Sequence, residues 1–196
     1  MEILKINSKR IDGEKMKGLI DFIEKGKVMV FPTDTVYGLV ADATNETAVE
    51  KVFKIKKRKS KTAVPIFIGS LSLAKKLAKI SKGQERILNA IWPGPVTAVL
   101  ARKKKKLYGV DKKTIALRIP NYRLVEEMLK RTKKPLTGTS ANISGRLPLT
   151  EIKKVIASFE KQKYQPDLIV DAGNLPKSKP STILDLTISP PKILRE

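Results

Sequence analysis

The chain has 196 residues, 41% of them apolar, and carries 41 lysines and arginines against 19 aspartates and glutamates, with neither cysteine nor histidine. Without those two residue types there is no disulfide framework, no thiolate nucleophile, no Cys/His zinc site and no His-based triad, so any chemistry rests on hydroxyls, amides, carboxylates, lysines, arginines and backbone. No apolar run reaches the roughly 18 residues of a membrane span, and the opening MEILKINSKR lacks the apolar core of a secretory signal. A single domain over residues 1–196, cytoplasmic and off the membrane, is therefore expected.

The formal charge of +22 has two readings, an anionic partner or a solvated lysine surface. The 32 lysines suit solvation, whereas the nine arginines mark places where a planar fork can grip phosphate or carboxylate.

In chain order, EILKI (2–6) reads as a short strand. Residues 12–25 read as an amphipathic helix capped by Asp12, with Met16, Leu19, Ile20 and Ile23 inward and Gly26 as the stop. VMVF (28–31) is a buried strand broken by Pro32, and PTDTVYG (32–38) follows it directly. The hydroxyls of Thr33, Thr35 and Tyr37 can line a polar pocket at the strand end or simply satisfy a turn. A helix from Asn45 to Lys57 ends in KIKKRK, where Lys56 and Arg58 either reach anions or answer the helix dipole. VPIFI (64–68) is a strand, and two short helices (72–80, 83–91) end at the turn WPGP. VTAVLA (96–101) and TIALRI (114–119) are strands joined across the lysine-rich loop that begins RKKKK (102–106), a loop that is either solvated or in contact with RNA. Arg118, on an otherwise apolar strand, either faces solvent or is a buried cation needing an anion.

A helix over 122–130 leads to PLTGTSANISG (135–145), uncharged in so basic a chain. In extended backbone Ser140 and Asn142 point to one face, and Gly138 and Gly145 allow close approach of a ligand such as a polyphosphate or ribose; the other reading is a loop of Asx and ST turns that satisfies its own backbone. A further helix (150–159) and the strands DLIVD, STILDL and KILRE complete the chain; Arg195, beside the last residue, frays unless something holds it. About seven strands with irregularly interspersed helices indicate an α+β (mixed α/β) fold, one mixed sheet covered by helices. No G-x-x-x-x-G-K-[ST] phosphate loop and no G-x-G-x-x-G dinucleotide loop occur.

Taken in order, PTDTVYGL, K-x-R (Lys56, Arg58), WPGPVTAVL, ALRIP, S-x-N (Ser140, Asn142), STILDL and ILRE resemble the YrdC family of threonylcarbamoyl-AMP synthases over residues 12–196, in its short form. The resemblance implies a strongly twisted sheet around a concave basic pocket. It also implies a nucleotidyltransferase that joins L-threonine, bicarbonate (or CO2) and ATP, with Mg²⁺ on the ATP and no metal on protein side chains, releasing pyrophosphate. A downstream transferase would then carry the threonylcarbamoyl group to tRNA. By the same resemblance Lys56 and Arg58 are catalytic and face the ATP phosphates. Thr35, Arg118 and Ser181 hold threonine, and Thr62, Ser140, Asn142 and Arg195 lie on the nucleotide. Phe67 stands where longer members often carry a histidine near threonine, so that contact is not expected. The alternative is a double-stranded RNA-binding or ribosome-assembly factor with a vestigial nucleotide pocket, and direct RNA affinity is compatible with either reading.

Overall fold

The computed structural model describes residues 1–7, 12–58 and 63–196; Thr62, one of the expected nucleotide contacts, lies outside them. Among the described residues, twelve strands divide between two mixed sheets of five and seven strands, rather than forming one sheet. The first runs β1 (Glu2–Lys5), β10 (Leu168–Asp171), β2 (Met29–Phe31), β3 (Gly38–Val40), β9 (Thr139–Ser140), parallel through β2 and antiparallel beyond it. The second runs β12 (Lys192–Arg195), β11 (Thr182–Asp185), β6 (Val96–Arg102), β7 (Thr114–Arg118), β4 (Ile66–Phe67), β8 (Leu136–Thr137), with β5 (Ala78–Lys79) against β6. The strands that sequence reading passed over, β3, β5, β8 and β9, are two or three residues long, too short to show an alternation.

Helices α1 (Gly13–Glu24) and α5 (Arg123–Thr132) cover one face of the first sheet; α2 (Glu46–Lys56) and α6 (Ile152–Glu160) cover the other. The strand period of two accomplishes this in β2, where Met29 and Phe31 join Met16, Leu19 and Ile23 of α1, while Val30 joins Val52, Ile55 and Phe159. Asp12 caps α1 by accepting from the Glu14 N–H (3.1 Å), as its sequence position suggests. Each fully buried large apolar side chain adds roughly 1.5–3 kcal/mol.

The second sheet is covered differently. Helices α3 (Leu71–Leu77) and α4 (Lys82–Ile91) pack on one face, where Ile115 and Leu117 meet Leu77, Leu88 and Trp92. The alternate residues Ala116 and Arg118, with Val99 and Ile183, line a pocket on the opposite face. One two-residue period thus separates core from cavity along a single strand.

The uncharged stretch 135–145 links the two sheets. Leu136 and Thr137 belong to the second sheet, Thr139 and Ser140 to the first, and Gly138 is the crossing point, its N–H donating to Pro65 O (2.8 Å). A Cβ there would sit 2.4 Å from the Phe67 ring, so Gly138 makes room for a neighbouring aromatic, and it also lines the pocket.

Candidate active site

The pocket between the sheets has a volume of about 530 Å³ and brings together residues far apart in sequence: Thr35, Lys56, Arg58, Arg118, Ser140, Asn142, Ser181 and Arg195 all line it. Among the described residues its lining contains four cations and no carboxylate, an electrostatic environment for anions. A volume in the range of small-molecule sites suits a nucleotide with a small acid beside it.

Arg118 is a buried cation with an anion, not a solvent-facing strand residue. It is 3% exposed, and its Nη2 donates to Asp34 Oδ1 at 2.6 Å. Its Nε donates to Gly94 O (2.9 Å) in the WPGP turn and its Nη1 to Thr35 Oγ1 (3.2 Å). Burial pulls the guanidinium pKa down, and Asp34 opposes that shift. Asp34 also accepts from the Asn121 N–H (3.1 Å), so it ties the β2–β3 loop to the end of β7. Of five N–H donors, three are satisfied among the described residues, which leaves one each on Nη1 and Nη2, a pairing that matches a carboxylate. Sequence reading missed Asp34 because nothing local distinguishes an aspartate in PTDT from a turn residue; its meaning comes from an arginine 84 residues later.

The threonine hydroxyls form a directed chain. Thr33 Oγ1 donates to Val36 O (2.7 Å), so Thr35 Oγ1 donates to Thr33 Oγ1 (3.1 Å) while accepting from Arg118. Tyr37, by contrast, turns away from the pocket. Its hydroxyl donates to Gly173 O (2.6 Å) and accepts from the Ala172 N–H (3.2 Å), and burial raises its pKa to about 12. Alternation along residues 33–37 would have kept it with Thr33 and Thr35; the loop geometry sends it into the core.

Lys56, at the end of α2, is 3% exposed and has no carboxylate partner among the described ion pairs. Its ammonium donates to Ser140 O (2.7 Å), Asn142 O (3.0 Å) and Asn142 Oδ1 (3.0 Å), which takes up all three protons. Ser140 Oγ donates to the same Asn142 Oδ1 (2.7 Å), and Asn142 Nδ2 donates to Arg146 O. The S-x-N segment is thus braced from behind by the lysine of K-x-R.

Burial, reinforced by nearby Arg58, lowers the Lys56 pKa to about 8. Between that value and the ordinary lysine range the unfolded chain binds more protons than the folded one, so this group makes stability rise with pH. We expect the stability of the wild-type protein relative to Lys56→Met to improve by about 1–3 kcal/mol from pH about 7.5 to about 10, measured by urea denaturation at both. A difference that is flat or falls with pH would refute the buried-ammonium description.

Arg58, two residues on, is half-buried; its N–H donates to Phe53 O (3.0 Å), its guanidinium makes no hydrogen bond to a described residue, and burial lowers its pKa. Arg195 does not fray. Strand β12 pairs with β11, and its guanidinium donates to Ser181 O through Nη2 (2.7 Å) and Nε (3.3 Å). Ser181 Oγ shares a hydrogen bond with Thr97 Oγ1 (2.8 Å), and Ser178 Oγ donates to Thr35 O. Gly145 has φ +84° with open space around it, at the mouth beside Ser144.

The Sua5/YciO/YrdC family model, described as "telomere recombination", matches residues 21–196. A protein of Pyrococcus abyssi (strain GE5 / Orsay) named threonylcarbamoyl-AMP synthase is 35% identical over 191 residues, 95% of this chain but 55% of its own length. A Methanocaldococcus jannaschii protein named putative threonylcarbamoyl-AMP synthase is 33% identical over 180 residues, 90% of this chain and 84% of its own. Among solved structures, P. abyssi Sua5 complexed with L-threonine superposes with a TM-score of 0.89 at 33% identity, covering 100% of this chain and 57% of that one. Escherichia coli YciO does so with a TM-score of 0.89 at 25% identity, covering 100% and 96%. With the family model matched across nearly the whole described core and the pocket built from the same motifs, the chain belongs to the Sua5/YciO/YrdC family.

Proposed function

We propose that this chain is a nucleotidyltransferase that makes threonylcarbamoyl-adenylate from L-threonine, bicarbonate (or CO2) and ATP. The observation that carries the reading is the carboxylate-free pocket in which Arg118, with two N–H groups to spare, and Arg58, whose guanidinium bonds to no described residue, lie within one cavity. The relatives named above as threonylcarbamoyl-AMP synthases, and a relative solved with L-threonine, support it.

In this reading the threonine carboxylate sits on Arg118, with the Thr35 and Ser181 hydroxyls beside it. The threonine amine attacks carbon dioxide and loses a proton to give a carbamate. A carbamate oxygen then attacks the α-phosphorus of ATP, forming the mixed anhydride and breaking the bond to the β,γ-pyrophosphate, which leaves. No enzyme nucleophile is needed, so the absence of Cys and His is no obstacle. The protein aligns two anions and stabilises charge developing on the leaving group. Arg58 meets that charge directly. Lys56 adds positive potential from behind the S-x-N strand and holds Ser140 and Asn142 toward the nucleotide, with Arg195 alongside. Mg²⁺ enters as part of the MgATP substrate. The product is a reactive acyl adenylate, and the consuming step is transfer of its threonylcarbamoyl group to an adenosine in tRNA by a second enzyme.

Pyrophosphate release from MgATP tests the proposal. We expect release only when L-threonine and bicarbonate are both present; release without either, or none with both, would overturn it.

A further inference from the structure

Phe67 and Arg118 line the reaction pocket, and the residues that follow them, Ile68 and Ile119, turn to the other side of the sheet. There, with Pro93 of the WPGP turn, they form the floor of a second concavity of about 500 Å³, walled by α3 on one side and α5 on the other. Leu73 of α3 and Leu129 of α5 extend the apolar floor. Pro93 is exposed, and Leu73 and Ile119 are half-buried, so part of that floor is open to solvent. The floor is held by backbone: the Ile68 N–H donates to Arg118 O (3.0 Å) and the Gly94 N–H to Ile119 O (2.9 Å). The groove is thus preformed and needs no rearrangement to receive an apolar side chain.

Its rim is basic. Lys76 stands on the α3 wall, while Lys130 and Lys133 lie one turn apart at the end of α5; all three are exposed, and none of the described ion pairs reaches them. One carboxylate lines the groove, that of Glu126, four residues before Lys130 and likewise outside the described ion pairs. Three lysines against one glutamate leave an excess of two positive charges. Helix dipoles favour lysines at these helix ends, but they do not account for a solvent-open apolar floor between them.

We propose that this groove docks an acidic amphipathic helix of a partner protein. An open groove between two helices suits a third laid along it, with apolar side chains on the floor. Lys130 and Lys133, at i and i+3, have the spacing of two carboxylates one turn apart on such a helix, and Lys76 meets a further carboxylate on the opposite wall. A nucleic-acid backbone would satisfy the lysines and leave the floor uncovered, so an acidic protein helix fits both features and a phosphate chain only one. Docking needs no substrate and is independent of the reaction proposed above.

Fluorescence anisotropy reads docking directly, with a fluorescein-labelled helical peptide of about four turns, Leu on one face and Glu on the rest, as the probe. The protein should bind it saturably, and more weakly as salt rises from about 50 to about 200 mM. Ser72→Trp, which fills the groove from an exposed helix position, should weaken binding about tenfold or more. The triple variant Lys76→Gln, Lys130→Gln, Lys133→Gln should also lose about tenfold, whereas Glu126→Gln, which removes the one like charge, should tighten binding about two- to fivefold. All three variants should still melt cooperatively. Four results would overturn the proposal: no saturable binding; equal binding of a peptide with Ser in place of every Leu, which would reduce the contact to charge; an equal loss in Lys15→Gln, Lys17→Gln, Lys153→Gln on α1 and α6; or displacement of the peptide by ATP, which would put it in the reaction pocket.

Discussion

Replacing Arg118 by alanine is expected to lower kcat/KM for threonine by about 10²–10³ and to destabilise the fold by about 3–5 kcal/mol. Both effects come from the same geometry. The guanidinium holds Asp34 at 2.6 Å, with side chains only 3% and 12% exposed, so removing it strands a largely buried carboxylate. It also removes the two N–H groups proposed to receive the substrate carboxylate. Because the alanine variant can fail by unfolding alone, Arg118→Lys separates the effects. A lysine keeps the charge opposite Asp34 but cannot donate to Gly94 O, Thr35 and Asp34 while also offering a paired fork. The folded lysine variant should show threonine KM raised about 10–100-fold with ATP KM little changed. An unaltered threonine KM in that variant would remove Arg118 from the substrate site.

Arg58→Ala should have the opposite signature, a large loss of activity with an intact fold. With no side-chain hydrogen bond to a described residue, its truncation strands no described partner, and stability should change by no more than about 0.5 kcal/mol. Losing a cation aimed at the leaving pyrophosphate should cost about 2–4 kcal/mol of transition-state stabilisation, seen as kcat falling about 30- to 1000-fold. Arg58→Lys should recover part of that loss. A fully active Arg58→Ala protein would shift the burden of charge stabilisation to Arg195 and Lys56. Lys56 is poorly placed for it, since its three protons are already held by Ser140 and Asn142.

That bracing also explains why 135–145 carries no charge. The segment has one side toward the pocket and another around a buried ammonium, and on both the structure uses carbonyls, an amide and a hydroxyl. An acid beside Lys56 would pair with it and bring a carboxylate to the edge of a cavity that has none. A lysine or arginine there would add a second desolvated cation to the first.

Much was legible along the chain because it is a local property. Periodicity located α1, α2, α4, α5, β2, β6 and β7 to within a few residues, since amphipathic spacing and caps such as Asp12 act over one or two turns. The order of short motifs marked Thr35, Lys56, Arg58, Arg118, Ser140, Asn142, Ser181 and Arg195, and the fold brings all eight to one cavity. What only the tertiary structure decided depended on contacts across long separations. Whether Arg118 met water or an anion rested on Asp34, 84 residues away. Tyr37 left the hydroxyl cluster because backbone groups at 172–173 meet it. Gly138 was set by the Phe67 ring, and Arg195 was held by Ser181. The division into two sheets shows only in the folded chain, where residues 136–140 pass from one sheet to the other at Gly138. Local free energies encode elements and motif order, whereas partners for buried charge and room for a ring arise only once distant segments pack, because desolvation has meaning only in the folded interior.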